Sequence, residues 1–165
     1  MSSTSVKTTT TAQVDVRGPR FVAWVTTTVL VTTLIVASIS APAAAVILGL
    51  QAVAFAIGAW AGPRRHPYGV VFANVVAPRL GPVREREPVA PLKFAQLVGF
   101  VFAAVGVAGF AAGAPLVGTV ATAAALAAAF LNAAFGICLG CQLYPLVARL
   151  RNQPKGSTPW HAPTS

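Results

Sequence analysis

Two long uncharged stretches dominate the chain, residues 21–63 and residues 94–148. One membrane-crossing helix needs about 20 residues, so each stretch has room for two helices and a tight turn. Turn signals fall at Ser40-Ala41-Pro42 and at Gly113-Ala114-Pro115. The pattern predicts an all-α, integral membrane four-helix bundle built as two hairpins. Its helices are expected near 21–40, 44–62, 94–112 and 116–136, within a domain of residues 14–150. The first span is rich in Val and Thr, which lipid tolerates because the backbone bonds to itself there. Its threonines can bond back to the preceding turn. Ala41-Pro42-Ala43 resembles a signal cleavage site, but the apolar run is too long for a leader and a second span follows at once. The tails, 1–13 and 151–165, have little to bury and are expected to be disordered, with Trp160 placed to touch a membrane surface.

The fourth span has a length problem. Unbroken from Leu116 to Ala148, it would measure about 50 Å against a hydrocarbon core of about 30 Å. The crossing part should therefore end near Phe135 or Gly136, followed by an interfacial extension to 150, kinked at Gly136, Gly140 or Pro145. Between the hairpins, residues 64–93 are charged and proline-rich. Within them, residues 68–76 are apolar but too short to span, and fit a short surface helix or a partial dip into the membrane. Arg84-Glu85-Arg86-Glu87 is expected to be a solvated, self-compensated charge run. The two hairpins faintly echo each other, since Phe21 and Phe94 each follow a basic residue and each precede a turn proline, Pro42 or Pro115, by the same interval.

Composition agrees with lipid as the solvent. Hydrophobic residues make up 56% and charged residues 9%, where a soluble domain carries about 25% charged residues. A net charge of +9 would raise nucleic acid as a partner. The basic residues form no stripe and lack interleaved aromatics, so nucleic acid is set aside. They fall instead before the first span, in the middle loop and in the C-terminal tail, while the hairpin tips at 40–43 and 113–115 have none. The positive-inside rule then predicts a multi-pass protein of the cytoplasmic membrane with both termini and the middle loop in the cytoplasm. Trp24 and Trp60 fall at the cytoplasmic ends of their spans, where interfacial tryptophans belong. The lipid bilayer is the first partner implied.

Chemistry concentrates in Cys138-Leu139-Gly140-Cys141, which holds the two cysteines of the chain. At i and i+3 on a helix their Cβ atoms are about 5–6 Å apart, and a small adjustment brings them into disulfide range. A break at Gly136 would start a short helix at Cys138. That residue would then feel the helix N-terminus and attack as thiolate, with Cys141 resolving. The competing reading makes both cysteines small apolar packing residues. A metal site is disfavoured by count: a closed zinc site wants four ligands, and beyond the cysteines there are only His66, expected to be solvated, and His161 in the tail. No metal or other cofactor is predicted.

Asn132, Gln51 and Gln96 are polar groups inside spans. Such groups usually bond across helices. A sharper alternative has Asn132 and a glutamine lining a small polar pocket beside the cysteines, suited to a quinone or a sulfur compound. Gly136-x-x-x-Gly140 and Gly109-x-x-x-Gly113 are small-residue pairs that let helices approach within the monomer. No ionisable residue lies within a span, which argues against a proton-coupled transporter or a charge-gated channel.

The chain resembles the bacterial membrane family catalogued as domain of unknown function 4395. The resemblance rests on Val14-Asp15-Val16-Arg17-Gly18-Pro19-Arg20-Phe21, His66-Pro67-Tyr68-Gly69, Pro78-Arg79-Leu80-Gly81-Pro82, Phe94-Ala95-Gln96 with Gly99-Phe100, and residues 131–144 around the cysteines. It implies a small four-helix membrane protein with a thioredoxin-like or sulfurtransferase protein as partner. It also singles out Asn132, Cys138, Cys141 and Tyr144, and adds Tyr68 and Asn74 of the middle loop as ligand-pocket candidates. The function expected is a cytoplasmic-face thiol pair for thiol–disulfide exchange or sulfur relay, as a thiol–disulfide oxidoreductase component. The alternative is a non-enzymatic membrane scaffold or assembly factor.

Overall fold

The computed structural model describes residues 12–151. Membrane contact by Trp160 and the place of His161 lie outside the described residues, as do the expected disordered tails apart from Ala12, Gln13, which is in a strand, and Arg151, which ends a helix. The elements in order are β1 (Gln13–Asp15), α1 (Arg17–Ala37), α2 (Ala41–Ala61), α3 (Pro67–Val71), β2 (Arg86–Pro88), α4 (Val89–Ala111), α5 (Pro115–Phe135) and α6 (Leu139–Arg151). After α3 the chain continues as a π-helical turn, Phe72–Val76, and a 3-10 turn, Ala77–Arg79. The fold is all-α apart from one small ribbon, and α1, α2, α4 and α5 are each long and apolar enough to cross a membrane.

Two helices start about a turn earlier than loop charge suggests. α1 begins at Arg17 and α4 at Val89, with Pro19 and Pro91 at their third positions. A first-turn N–H has no intrahelical acceptor, so proline there loses nothing. Lys93, inside α4, sends its Nζ to the Trp60 carbonyl at 2.7 Å, which satisfies an end carbonyl of α2. The hairpin turns are built locally. Ser40 Oγ accepts the Ala43 N–H at 3.4 Å at the start of α2, and Gly113, at φ 73°, closes the turn before α5.

Each long helix touches two others: α1 packs on α2 and α5, and α4 packs on α2 and α5. The shared core contains Leu30, Leu48, Phe55, Ala103, Phe110 and Ala125. Outward faces are apolar too, with Ile35, Leu50, Val53, Val101, Leu116 and Val120 all exposed. The starts of α1 and α4 and the ends of α2 and α5 share one end of the molecule, which also carries the β-ribbon.

At this ribbon end β1 pairs antiparallel with β2, Val14 opposite Glu87. The run Arg84–Glu87 is exposed except for the half-buried Glu87, as a solvated run should be, but it is not simply a loop. Its second half is a strand, and the Glu85 carbonyl accepts the Val16 N–H. The one ion pair among the described residues joins Arg17 to Asp15 at 2.8 Å. Arg17 also donates to the Gly81 carbonyl at 3.1 Å, holding the loop after the 3-10 turn. The apolar loop segment 68–76 folds back on α1. Phe72 is buried, its ring 5.7 Å from that of Phe21 and against Gly18.

Both glycine pairs divide their labour. Gly109 faces the Gly118 backbone, so that an added Cβ would meet Gly118 N at 2.6 Å, while Gly113 turns the chain. Gly140 is pressed on α4, with an added Cβ 2.6 Å from Ala95 Cα, while Gly136 adopts φ 70° and ends α5. Neither pair forms a continuous small-residue face, because one member of each is spent on a left-handed backbone.

Gly140→Ala should therefore destabilise the protein by about 1–3 kcal/mol through overpacking against backbone. Gly49→Ala, in α2 with open space around it, should be neutral or stabilising by about 0.5–1 kcal/mol. Thermal unfolding of the two variants in detergent checks the contrast; equal midpoints would refute the tight α6–α4 contact.

Candidate functional site

Cys138 and Cys141 are joined as a disulfide, with Cα atoms 5.1 Å apart. The chain makes this possible in three local steps. Gly136 caps α5 in the left-handed region, its N–H bonding to the Asn132 carbonyl. Residues 136–138 are then non-helical, and α6 starts at Leu139. Cys138 thus immediately precedes a helix N-terminus, and its Sγ accepts the Cys141 N–H at 3.3 Å. Gly140, between the cysteines, lets this turn lie directly on Ala95 of α4. Arg20 brings a cation to the same corner, its Cζ 3.9 Å from where a side chain on Gly136 would begin. Helix N-terminus and backbone N–H both favour a negative Cys138 sulfur when the bond is reduced.

Cys138 also faces a cavity of about 700 Å³ at the ribbon end. Its walls come from the first half of α1, the last half of α5, the start of α4, the segment after α2, and the α6 turn. Alanines make the space on one side: Ala124, Ala125, Ala128 and Ala129 of α5 present only methyl groups. Phe55, Phe72, Phe102 and Leu92 supply the larger apolar surfaces. The polar groups on the wall are few, and include Thr26, His66, Gln96 and Asn132.

Three of those groups are unusual. Thr26 is 2% exposed, and its Oγ1 has no hydrogen-bond partner. Its neighbours Thr27, Thr28, Thr32 and Thr33 all donate back to the carbonyl one turn earlier. Gln96 Oε1 and His66 Nε2 are also buried without a partner. His66 is 1% exposed, which corrects the expectation of a solvated loop histidine. Pro67 starts α3, His66 Nδ1 caps it by accepting the Tyr68 N–H at 3.3 Å, and the ring is thereby turned inward. There it packs beside Gln96 and on Gly58, where a Cβ would meet His66 Cδ2 at 2.7 Å. Burial pushes the imidazole pKa down from 6.5 to about 4, so the ring is neutral near pH 7. With Nδ1 accepting, its proton sits on Nε2, a free donor.

The six sequence candidates separate. Cys138 and Asn132 line the cavity, and Cys141 is bonded to Cys138. Tyr68 stands behind the wall, donating its hydroxyl to Gln51 Oε1 at 2.9 Å and stacking edge-on to His66. Tyr144 lies elsewhere, in a recess of about 290 Å³ with Trp60 and Lys93, its ring against Phe94. Asn74 is exposed and donates to the Val70 carbonyl at 2.9 Å. His66 and Thr26 were missed. The signal for His66 was its place before Pro67 beside an apolar loop segment; Thr26 had no signal among so many threonines.

A helical protein with four helices fit to cross a membrane, and a C-x-x-C disulfide on the wall of a cavity, is the class these features define. Residues 14–149 match the family described as Domain of unknown function (DUF4395), and the chain belongs to it. Comparison with curated proteins and with solved structures returns no match.

His66 gives a pH test. Its proton binds the unfolded chain below pH 6.5 but the folded chain only near pH 4. Its contribution to stability is complete above pH 6.5 and is lost as pH falls to 4, by about 3 kcal/mol. Glu87, raised by burial and then by Glu85, acts in the opposite sense. Asp15, lowered by its bond to Arg17, acts only at lower pH. Between pH 7 and pH 4 wild type should thus lose about 3 kcal/mol relative to His66→Phe in denaturant unfolding; parallel curves would contradict a buried neutral imidazole.

Proposed function

We propose that this is a four-helix bundle of the cytoplasmic membrane whose Cys138–Cys141 pair cycles between disulfide and dithiol at the cytoplasmic face. The observation that carries the reading is the disulfide at the α6 N-terminus with Cys138 on the wall of a cavity. A packing cysteine needs neither a bonded partner nor an open space before it.

Membrane insertion is supported by the outer surface. The exposed faces of all four long helices are apolar, which water would penalise and lipid would not. Trp24 and Trp60 are 50% and 64% exposed near the ribbon end, as an interfacial belt requires. Arg64, Arg65, Arg79, Arg84 and Arg86 belong to the same end, so the positive-inside rule supports a cytoplasmic ribbon end. In the reducing cytosol a disulfide is transient and catalytic.

In the reducing direction the Cys138 thiolate attacks a partner's disulfide, forming a mixed disulfide and releasing one partner thiolate. The Cys141 thiolate then attacks Cys138 Sγ and releases the second, leaving the internal disulfide. Run backwards, a partner dithiol reduces the pair and is itself oxidised. A thioredoxin-like or sulfurtransferase protein suits that role. The tight seat of Gly140 on Ala95 supports a second reading, a scaffold in which the disulfide only fixes α6.

Alkylation separates the two and tests orientation. After growth without stress, a membrane-impermeant maleimide should label Cys138 and Cys141 in inside-out vesicles and not in intact cells. Oxidative challenge should abolish the label reversibly, and Cys141→Ser should accumulate a mixed disulfide through Cys138. Labelling of intact cells would reverse the orientation. Thiols that never change state would leave only the scaffold.

A further inference from the structure

The cavity indicates what the thiol pair acts upon. Resting on the redox reading above, we propose that it binds a lipid-soluble quinone, which the reduced Cys138–Cys141 pair converts to hydroquinone.

Size comes first. At about 700 Å³ the space falls within the range of about 300–1,000 Å³ typical of sites for ring-sized organic ligands. Sulfide is little larger than water, whose share of liquid volume is about 30 Å³, and would fill only a corner. At the ribbon the lining includes Gln13, Asp15, Arg64 and Arg86; elsewhere the walls are largely alanine methyls and phenylalanine rings, with no carboxylate. Asp15 is already committed to Arg17. Away from the ribbon the chemistry is that of an uncharged, largely apolar molecule.

Polarity comes second. Two buried groups on this wall lack partners and can donate: His66 through Nε2–H and Thr26 through its hydroxyl. An unpaired buried polar group costs about 1–3 kcal/mol, so a ligand bearing acceptors recovers that cost. A quinone has two carbonyl oxygens on an otherwise apolar ring. The Gln96 Oε1 acceptor, also unpaired, suits the hydroxyl that forms on reduction. The neutral state of His66 matters here, since a charged imidazolium would be solvated poorly in this setting.

The redox step balances without further reagents. The Cys138 thiolate adds to a quinone ring carbon. The Cys141 thiolate attacks Cys138 Sγ, breaking the carbon–sulfur bond and leaving the electron pair on the ring. Two thiols become one disulfide, and the two protons they lose match the two gained by the hydroquinone. Electrons reach the pair from the cytosolic thiol partner, so the protein would pass reducing equivalents from cytosolic thiols to the membrane quinone pool.

The test uses the full chain, reduced, in lipid nanodiscs, mixed with tetramethylbenzoquinone. Its ring has no hydrogen for a thiol to replace, so stable arylation is avoided. Wild type should form one hydroquinone per protein, lose both thiols, and show a rate that saturates with quinone. Ala128→Leu, which fills the wall, and His66→Phe, which removes the donor, should each raise the half-saturating concentration by about tenfold, as expected for one lost buried hydrogen bond or an equivalent steric loss. Thermal unfolding of each variant confirms that it is folded. An unsaturable rate equal in wild type and folded Ala128→Leu would overturn the cavity as the site. Wild type that exchanges with glutathione disulfide but not with quinone overturns this inference and leaves thiol exchange standing. Exchange with neither removes the redox reading itself.

Discussion

The approach of α6 to α4 governs the ribbon end of this protein. Gly140 sits so close to Ala95 that no side chain could be inserted between them, and that contact fixes where α6 begins. Because α5 ends at Gly136 in a left-handed turn, the chain has only residues 136–138 in which to reverse onto α4. Cys138 is therefore held between one helix end and the next. Its disulfide partner one turn later is positioned by the same helix. Remove the close contact and the cysteines remain neighbours in sequence, but Cys138 no longer has a defined wall to face.

A second constraint acts from the opposite wall. The loop after α2 carries His66, and Gly69 lets it double back so tightly that a Cβ would meet the Pro63 carbonyl. The imidazole is pressed between α2 and α4, held by the Tyr68 N–H, while Tyr68 itself is tied to Gln51. Burying a histidine, two glutamines and a threonine in an apolar interior is costly, and the protein leaves one atom of each unpaired. The core away from the ribbon end is filled by Leu30, Leu48 and Phe110. The unpaired groups and the empty volume thus share one end, next to the thiol pair.

The helices were legible because their signal is uninterrupted lack of charge, which depends on no tertiary contact. The break at Gly136 was legible as well, since a helix from Leu116 onward would outrun a bilayer. Helix starts were less so: Arg17, Arg20 and Lys93 look like boundaries, yet basic side chains can sit in the first two turns and reach to a neighbouring helix, as Lys93 does to Trp60. The ribbon was hidden because three-residue strands have no periodicity to read, and the run from Arg84 to Glu87 resembles a solvated loop. At the site, Cys138 and Asn132 were named from residue type and spacing. Tyr144 and Asn74 were named only through the family resemblance, and they lie in other surroundings. His66 escaped because its burial is imposed by three elements meeting, which composition of one loop cannot reveal.

A redox titration of the purified protein decides whether Cys138 and Cys141 are a working couple or a fixed strap. The protein in nanodiscs is equilibrated in glutathione buffers of graded ratio, quenched, and alkylated, and the oxidised fraction is read by mass. One reversible two-electron transition is expected, the same approached from either side and abolished in Cys138→Ser and Cys141→Ser. A disulfide that no glutathione ratio opens, or thiols that no ratio closes, would contradict it.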